Sequence, residues 1–469
     1  MEMYILMKAG FVSLGCAKNL VDTEVMLGIM KSHGIKLTSN PADADILVVN
    51  TCAFITSAKE ESITTILNLA DYKESGHCRS LIIAGCLGQR YRQELLDELP
   101  EADAIIGTGA WNRVMEAIEQ TLKGRRVILI GDDKIIYSKK TPQAVDIKTY
   151  VNCDKGIIYD SNTPRIRTTP NYTAYVKIAE GCDNRCAFCA IPLIRGKQIS
   201  RTIEDIVSEV NNLAAQGVKE INLIAQDTTN YGHDIYNKPS LVPLLKELVK
   251  IDKLQWIRIL YCYPRYFSDE LIDLIASEPK ICNYVDLPLQ HAHNDVLKRM
   301  HRPDTRESVE KLLKKIRERI PNVAIRSTFI VGFPGETDEE FNTLKDFIQT
   351  QKLDHVGIFT FSREEDTAAY DLPNQIEEEV MQERYHELMS LQSSISQQIN
   401  ESLIDKEFEI LIEGRDEEVN NIAAGRSYRE APEVDGQIYI EGDTKSKPGD
   451  IIKAKIVAGF AYDLAAQTI

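Results

Sequence analysis

The stretch "TAYVKIAEGCDNRCAFC", residues 173–189, runs from an apolar segment into three cysteines spaced Cys-x3-Cys-x2-Cys. Thr173–Ala179 reads as a strand, which puts Cys182, Cys186 and Cys189 in the loop that leaves its C-terminal end. Downstream, strand and helix alternate. Strands are predicted at 219–225, 256–262, 283–289, 323–331 and 355–361, and helices at 203–215, 241–250, 269–277, 306–319 and 338–350. Six strand–helix steps predict a partial (β/α) barrel of the TIM type. In such barrels the chemistry sits in the loops after the strands, and the cysteine loop is the first of these.

Upstream of this stretch the alternation is of another kind. Strands are predicted at 9–15, 45–51, 80–85 and 103–108, with helices over 19–34 and near 57–71. The expectation is an N-terminal doubly wound parallel α/β domain. Its strands end in "SLGC", "VVNTC" and "IIAGC", so Cys16, Cys52 and Cys86 stand at one sheet edge, where ligands of open α/β sheets bind. Segment 124–170, rich in Pro, Thr and Asn, reads as a connecting region. After a long helix predicted at 377–402, short strands in the last seventy or so residues predict an OB-like β-barrel. The expected divisions are 1–125, 126–167, 168–398 and 399–469.

A chain of 469 residues calls for several domains. The sequence has no apolar run of about 18 residues that could span a membrane. No signal peptide is read at its start, so the expected compartment is the cytoplasm. Ten cysteines in a large cytoplasmic chain point to metal or redox chemistry rather than disulfides. A net charge of −16 disfavours broad binding to phosphate backbones.

Closed zinc sites present four ligands, usually with paired cysteines. Cys182, Cys186 and Cys189 match neither the spacing nor the count. An iron–sulfur cube fits better, because three thiolates leave one iron open for a substrate. The bland reading of Cys16, Cys52 and Cys86 is three buried small side chains. Their common place at strand ends argues instead for a shared ligand. Cys78, Cys153, Cys262 and Cys282 fit no ligand pattern and read as ordinary thiols.

The "CDNRCAFC" loop resembles that of the radical S-adenosylmethionine superfamily, and the whole chain resembles its methylthiotransferases. The resemblance implies two 4Fe-4S clusters, one on Cys182, Cys186 and Cys189, the other on Cys16, Cys52 and Cys86. It also implies S-adenosylmethionine as cosubstrate, cleaved reductively to a radical that removes hydrogen from an unactivated carbon. The C-terminal barrel is then a TRAM domain. A low-potential electron donor and the iron–sulfur assembly machinery become expected partners, and a monomer the expected state.

"SLGCAKNLVDTE" (13–24), "AQDTTNYG" (225–232), "LPLQHAHNDVLKRMHR" (287–302) and "GRSYREAPEVDG" (425–436) are similar to the branch that modifies an aspartate of small-ribosomal-subunit protein twelve. Residues 401–469 carry fifteen acidic and eight basic side chains, a balance of −7. That suits a basic protein partner better than tRNA, and no direct nucleic-acid target is expected. Gln226, Asp227, Gly332 and Gly335 are expected near S-adenosylmethionine; a strand-end turn explains them as well. His291, His293 and His301 are read as helix-surface or supporting side chains rather than a zinc site. Lys298 and Arg302 are candidates to meet a carboxylate. Two rivals remain: a tRNA adenosine methylthiotransferase with the same cofactors, and a non-catalytic iron–sulfur scaffold or electron carrier.

Overall fold

The computed structural model describes residues 7–131, 133–138, 141–147, 158–416, 422–443 and 445–469; side chains at 133–147 and 416 are outside that description. Strands β1 (Lys8–Ser13), β2 (Lys36–Leu37), β3 (Ile46–Thr51), β4 (Ser80–Gly85), β5 (Ala104–Ile106) and β6 (Arg125–Ile130) lie parallel, in the order β2-β1-β3-β4-β5-β6. β3 ("ILVVNT") and β4 ("SLIIAG") are buried throughout, as strands covered on both faces must be. Helices Ala17–Ser32 and Val114–Leu122 cover one face, packing Val21, Val25, Met26, Val114 and Ala117. Helices Thr56–Ala70 and Cys86–Glu98 cover the other, with Ile66, Leu69, Leu95 and Leu96. β1 has β2 on one side and β3 on the other, so the winding reverses between β1 and β3. Such a switch point opens a crevice at the strands' C-terminal ends.

The segment read as a connecting region continues this sheet. β6 pairs parallel with β5, and β7 (Asp133–Ser138) and β8 (Thr141–Ile147) add an antiparallel edge. The Lys, Thr and Pro residues around 138–142 masked the strand signal. A proline is compatible with an edge strand, where a missing N–H leaves no ladder bond broken. Further on, residues 164–169 lie against helix Ala17–Ser32. A Cβ on Gly28 would come within 2.3 Å of the Pro164 carbonyl oxygen, and Glu24 accepts from Arg165, Thr168 and Thr169.

The central unit holds β9 (Thr173–Lys177), a short ribbon of β10 (Ala179–Glu180) and β11 (Ile199–Ser200), then β12 (Glu220–Ile224), β13 (Trp256–Ile259), β14 (Tyr284–Asp286), β15 (Ala324–Val331) and β16 (His355–Thr360). β9, β12 and β13 form one parallel sheet, and β14, β15 and β16 another. A single bridge, Ile257 to Ile281, and a bond from Cys262 N to Asp286 O join them. Six parallel barrel strands agree with the expected partial barrel. Its helices pack Ile206, Val210, Leu244, Leu313, Leu344 and Leu388 into one core.

β17 (Glu407–Asp416), β18 (Ile422–Arg426), β19 (Ile438–Glu441), β20 (Ile451–Gly459) and β21 (Leu464–Thr468) close a five-stranded barrel. It is seated on the central unit by buried ion pairs. Arg426 meets Glu220 at 2.8 Å, Arg258 also faces Glu220, and Arg429 pairs with Asp354. Thus "GRSYREAPEVDG" is largely a docking segment. Arg426 and Arg429 turn inward together with the carboxylates of Glu430 and Asp435, so the barrel's outer surface keeps the acidic excess of its sequence.

Candidate active site

β1, β3 and β4 each end beside a cysteine. Cys16 follows β1 and precedes helix Ala17–Ser32; Cys52 follows β3; Cys86 opens helix Cys86–Glu98. The three thiols lie close enough to bear on one another electrostatically. Gly15, Gly85 and Gly181 stand directly before Cys16, Cys86 and Cys182, with φ of +84°, +90° and +78°. That left-handed turn deflects the chain off its strand and is open to glycine at no steric cost. At Gly15 a Cβ would lie 2.9 Å from Cys52 Cβ, and at Gly181 2.1 Å from the Lys197 carbonyl oxygen.

Asn19 knits the first trio together. Its amide donates to Leu14 O at 3.0 Å and Thr51 O at 2.9 Å, and its Oδ1 accepts from Cys86 Sγ at 3.6 Å. Asn50 in turn donates to Asn19 O at 2.7 Å. Burial would raise the Cys16 thiol, but the Lys18 and Arg195 charges outweigh it and hold Cys16 below its ordinary value. Burial pushes Cys52 up, and Cys86 up to about 12.

The second trio occupies one loop. Cys182 N donates to Gly196 O, and Cys189 N to Cys186 O. Arg302 places Nη1 4.0 Å from Cys186 Sγ, donates to Pro288 O and stacks 4.0 Å over the Tyr263 ring. Burial pushes Cys182 and Cys189 up to about 12.

A buried ionic network runs from Cys86 of the first trio to Glu180, two residues before Cys182 of the second. Arg195 reaches Cys86 Sγ at 3.7 Å, Asp22 at 3.2 Å and Glu180 at 2.7 Å. Lys177 pairs with Asp22 and with Glu180, the latter at 2.6 Å. Burial opposes ionisation of Glu180, yet Arg195 and Lys177 hold its carboxyl at about 2. Two cations thus face two carboxylates, the arrangement that makes buried charge tolerable. Sequence reading missed Lys18, Asn19, Asp22, Lys177, Glu180 and Arg195. A signal was present in "CAKNLVD", which sets polar residues at helical spacing on the face of a helix that must be buried.

The expected cosubstrate residues fall at the same strand ends with varied roles. Gln226 donates to Glu180 at 2.8 Å, and its Oε1 is buried with no hydrogen-bond partner among the described residues. Asp227 is taken up by Thr229, Asn184 and the Asn230 amide; its link to Asn184 ties it to the cysteine loop. Gly332 packs where a Cβ would sit 2.2 Å from Met381 Cγ, and Gly335 N donates to Asn374 O at 2.8 Å. The three histidines go to different partners: His291 to Glu336, His293 to Asp295 N and Glu340, His301 to Arg185 O. His293, Asp295 and Glu340 do converge, but Arg299 clasps Glu340 through both its oxygens. Lys298 lies on helix Asn294–Arg299.

The six thiols suit iron–sulfur ligation. Five of them are partly accessible, whereas Cys78, Cys262 and Cys282 are buried at other places. Cys78 bonds to Ser80 O, Cys262 feels Asp286 and Asp227, and Cys282 feels Arg258. Cys153 lies outside the described residues.

Family comparison matches residues 176–348 to the radical SAM superfamily, 404–469 to the TRAM domain and 8–107 to the uncharacterized protein family UPF0004. The chain shares its fold with the radical S-adenosylmethionine methyltransferase TsrM of Kitasatospora setae, at TM-score 0.56, 16% identity and 77% coverage of both chains. Fold and family match define a radical S-adenosylmethionine enzyme, with its 4Fe-4S chemistry and S-adenosylmethionine as cosubstrate. The ribosomal protein uS12 methylthiotransferase RimO of Desulforamulus reducens is 49% identical over 98% of this chain and 98% of its own. That of Geobacter sulfurreducens is 45% identical, again over 98% of both. The chain belongs to the ribosomal protein uS12 methylthiotransferase family.

Proposed function

We propose that this chain places a methylthio group on the β-carbon of an aspartate in ribosomal protein uS12. In this reading Cys16, Cys52 and Cys86 hold one 4Fe-4S cluster, and Cys182, Cys186 and Cys189 hold the other. The observation that supports it is the pair of cysteine trios at the C-terminal ends of two parallel sheets, with Arg195 linking Cys86 of one to Glu180, two residues before Cys182 of the other. When bound, the clusters and S-adenosylmethionine supply the sulfur and the one-electron chemistry that an unactivated C–H bond demands.

The chain's own groups fix positions. Arg195 and Lys177 hold Glu180, Glu180 orients Gln226, and the free Gln226 Oε1 is a ready acceptor for the ammonium of the cosubstrate. Asp227 anchors the cysteine loop through Asn184. Gly332 and Gly335 bring backbone close to the same end of the barrel. The acidic C-terminal barrel suits a basic ribosomal protein. Among the described residues no helix is long and apolar enough to cross a membrane. A cytoplasmic monomer served by a low-potential electron donor and by the iron–sulfur assembly machinery completes the reading.

The test is anaerobic reconstitution, followed by incubation with S-adenosylmethionine, reductant and recombinant uS12. The expected result is a CH2S mass gain on one aspartate together with 5′-deoxyadenosine, with the mass gain lost in Cys186→Ala and in Cys52→Ala. A modified tRNA nucleoside with no protein mass gain would overturn the substrate. Absence of 5′-deoxyadenosine under strong reductant would favour an iron–sulfur scaffold.

A further inference from the structure

Lys18, the second residue of helix Ala17–Ser32, is only 6% exposed. Its Nζ lies 3.1 Å from the centre of the Tyr261 ring. Tyr261 sits just past the end of β13, at the mouth of the barrel, and Lys18 is two residues from Cys16. The ammonium therefore stands between the N-terminal sheet edge and the barrel mouth.

The other buried cations of this region have carboxylates. Lys177 and Arg195 share Asp22 and Glu180. Asp286 accepts from Tyr261 N at 2.8 Å and from Arg326 at 3.3 Å. Among the described residues, Lys18 has neither an ion pair nor a hydrogen bond through Nζ; burial works against its charge, the Cys16 thiol is the group that most favours it, and Glu180 and Asp286 contribute less. A ring face attracts an ammonium but takes none of its three N–H donors as a conventional hydrogen bond would. A buried cation with vacant donors is costly until an anion meets it. A carboxylate arriving between the two trios would satisfy that demand.

We propose that Lys18 receives the carboxylate of the target aspartate, so that it both selects an acidic side chain and holds its β-carbon between the trios. This rests on the substrate reading given above. The competing assignment is that Lys18 merely offsets the charge of a cluster on Cys16. Lys18 is the cation that acts most on Cys16, and Arg195 supplies a second one through Cys86, so retention of iron when Lys18 is replaced decides between the two roles.

The experiment measures binding of anaerobically reconstituted enzyme, without reductant, to recombinant uS12 carrying the target aspartate and to the same protein with asparagine there. Wild type should prefer the aspartate form by about tenfold or more. Lys18→Met should abolish the preference while keeping its iron and sulfide, and Lys18→Arg should keep part of it. A preference unchanged in Lys18→Met, or affinities for both forms lowered equally, overturns the proposal. Iron lost in Lys18→Met but kept in Lys18→Arg assigns Lys18 to the cluster and overturns it as well. Failure of wild type to bind either form would instead strike the substrate reading itself.

Discussion

The two cysteine trios are built in opposite ways. Cys182, Cys186 and Cys189 span eight residues of one loop, so local chain geometry gathers them. Cys16, Cys52 and Cys86 come from three strands, and only the register of β1 against β3 and of β3 against β4 brings them together. Their electrostatics differ too. The N-terminal trio is flanked by Lys18 and Arg195, and Cys16 is held below its ordinary value. The loop trio has Arg302 at the margin, with Cys182 and Cys189 pushed up to about 12 by burial. The contrast teaches that one site is a property of a loop and the other a property of a folded sheet.

The largest effect should separate the trios by product. Cys186→Ala should abolish both 5′-deoxyadenosine and methylthiolated uS12. Cys52→Ala should abolish the second while leaving the first measurable. Chromatography of the nucleoside and mass spectrometry of the protein check this; equal loss of both signals in both variants would erase the distinction.

Next comes the bridge. Arg195→Met removes one of two cations and leaves Asp22 and Glu180 to Lys177 alone. Breaking a buried pair in this way costs about 3–5 kcal/mol, read as a lower denaturation midpoint of the metal-free protein. The N-terminal trio should lose iron before the loop trio does, because Arg195 also contacts Cys86 and Asn19.

How far the sequence could be read follows the same contrast. A six-strand barrel and a closed five-strand barrel were legible because strand runs and helical faces alternate cleanly there. The cysteine loop was legible because its information is local, and the strand-end cysteines because "SLGC" and "IIAGC" mark the end of a strand by themselves. β7 and β8 were not, since an antiparallel edge with Lys and Pro lacks the unbroken apolar run of β3 or β4; β6 does carry such a run, Val127–Ile130, and was missed although its signal was present. The Lys177, Arg195, Asp22 and Glu180 network was also hidden. Asp22 lies 155 positions from Lys177 and 173 from Arg195, and no periodicity encodes such a pairing.

Matched glycine substitutions sharpen the comparison at smaller cost. Gly15→Ala forces a left-handed residue against Cys52, and Gly181→Ala forces one against Lys197 O. Each conformational penalty alone is about 1–2 kcal/mol, and the steric conflict adds to it. Gly15→Ala should deplete only the N-terminal trio and Gly181→Ala only the loop trio, as judged by iron content and by which product survives. Cross-depletion would mean that the two sites load as one unit.

The smallest expected effect tests the joint that holds the trios in mutual register. Glu364, just past β16, meets Lys59 of helix Thr56–Ala70 at 2.9 Å and Arg90 of helix Cys86–Glu98, and Arg90 also donates to Ala53 O beside Cys52. Burial opposes ionisation of Glu364, but bonds from Lys59, Ser362 and Arg90 outweigh it, so its folded value lies below the ordinary 4.5. A depressed carboxyl contributes stability that is complete above its unfolded value and fades as pH falls through the folded one. Glu364→Gln should therefore lower stability at neutral pH by about 1–2 kcal/mol, and the gap to wild type should narrow as pH falls below the ordinary carboxyl value of 4.5. The variant should also release more 5′-deoxyadenosine per methylthiolated product, because a looser joint lets the loop trio act out of register with the sheet-edge trio. A gap that stays constant with pH would show that Glu364 acts by shape rather than by charge.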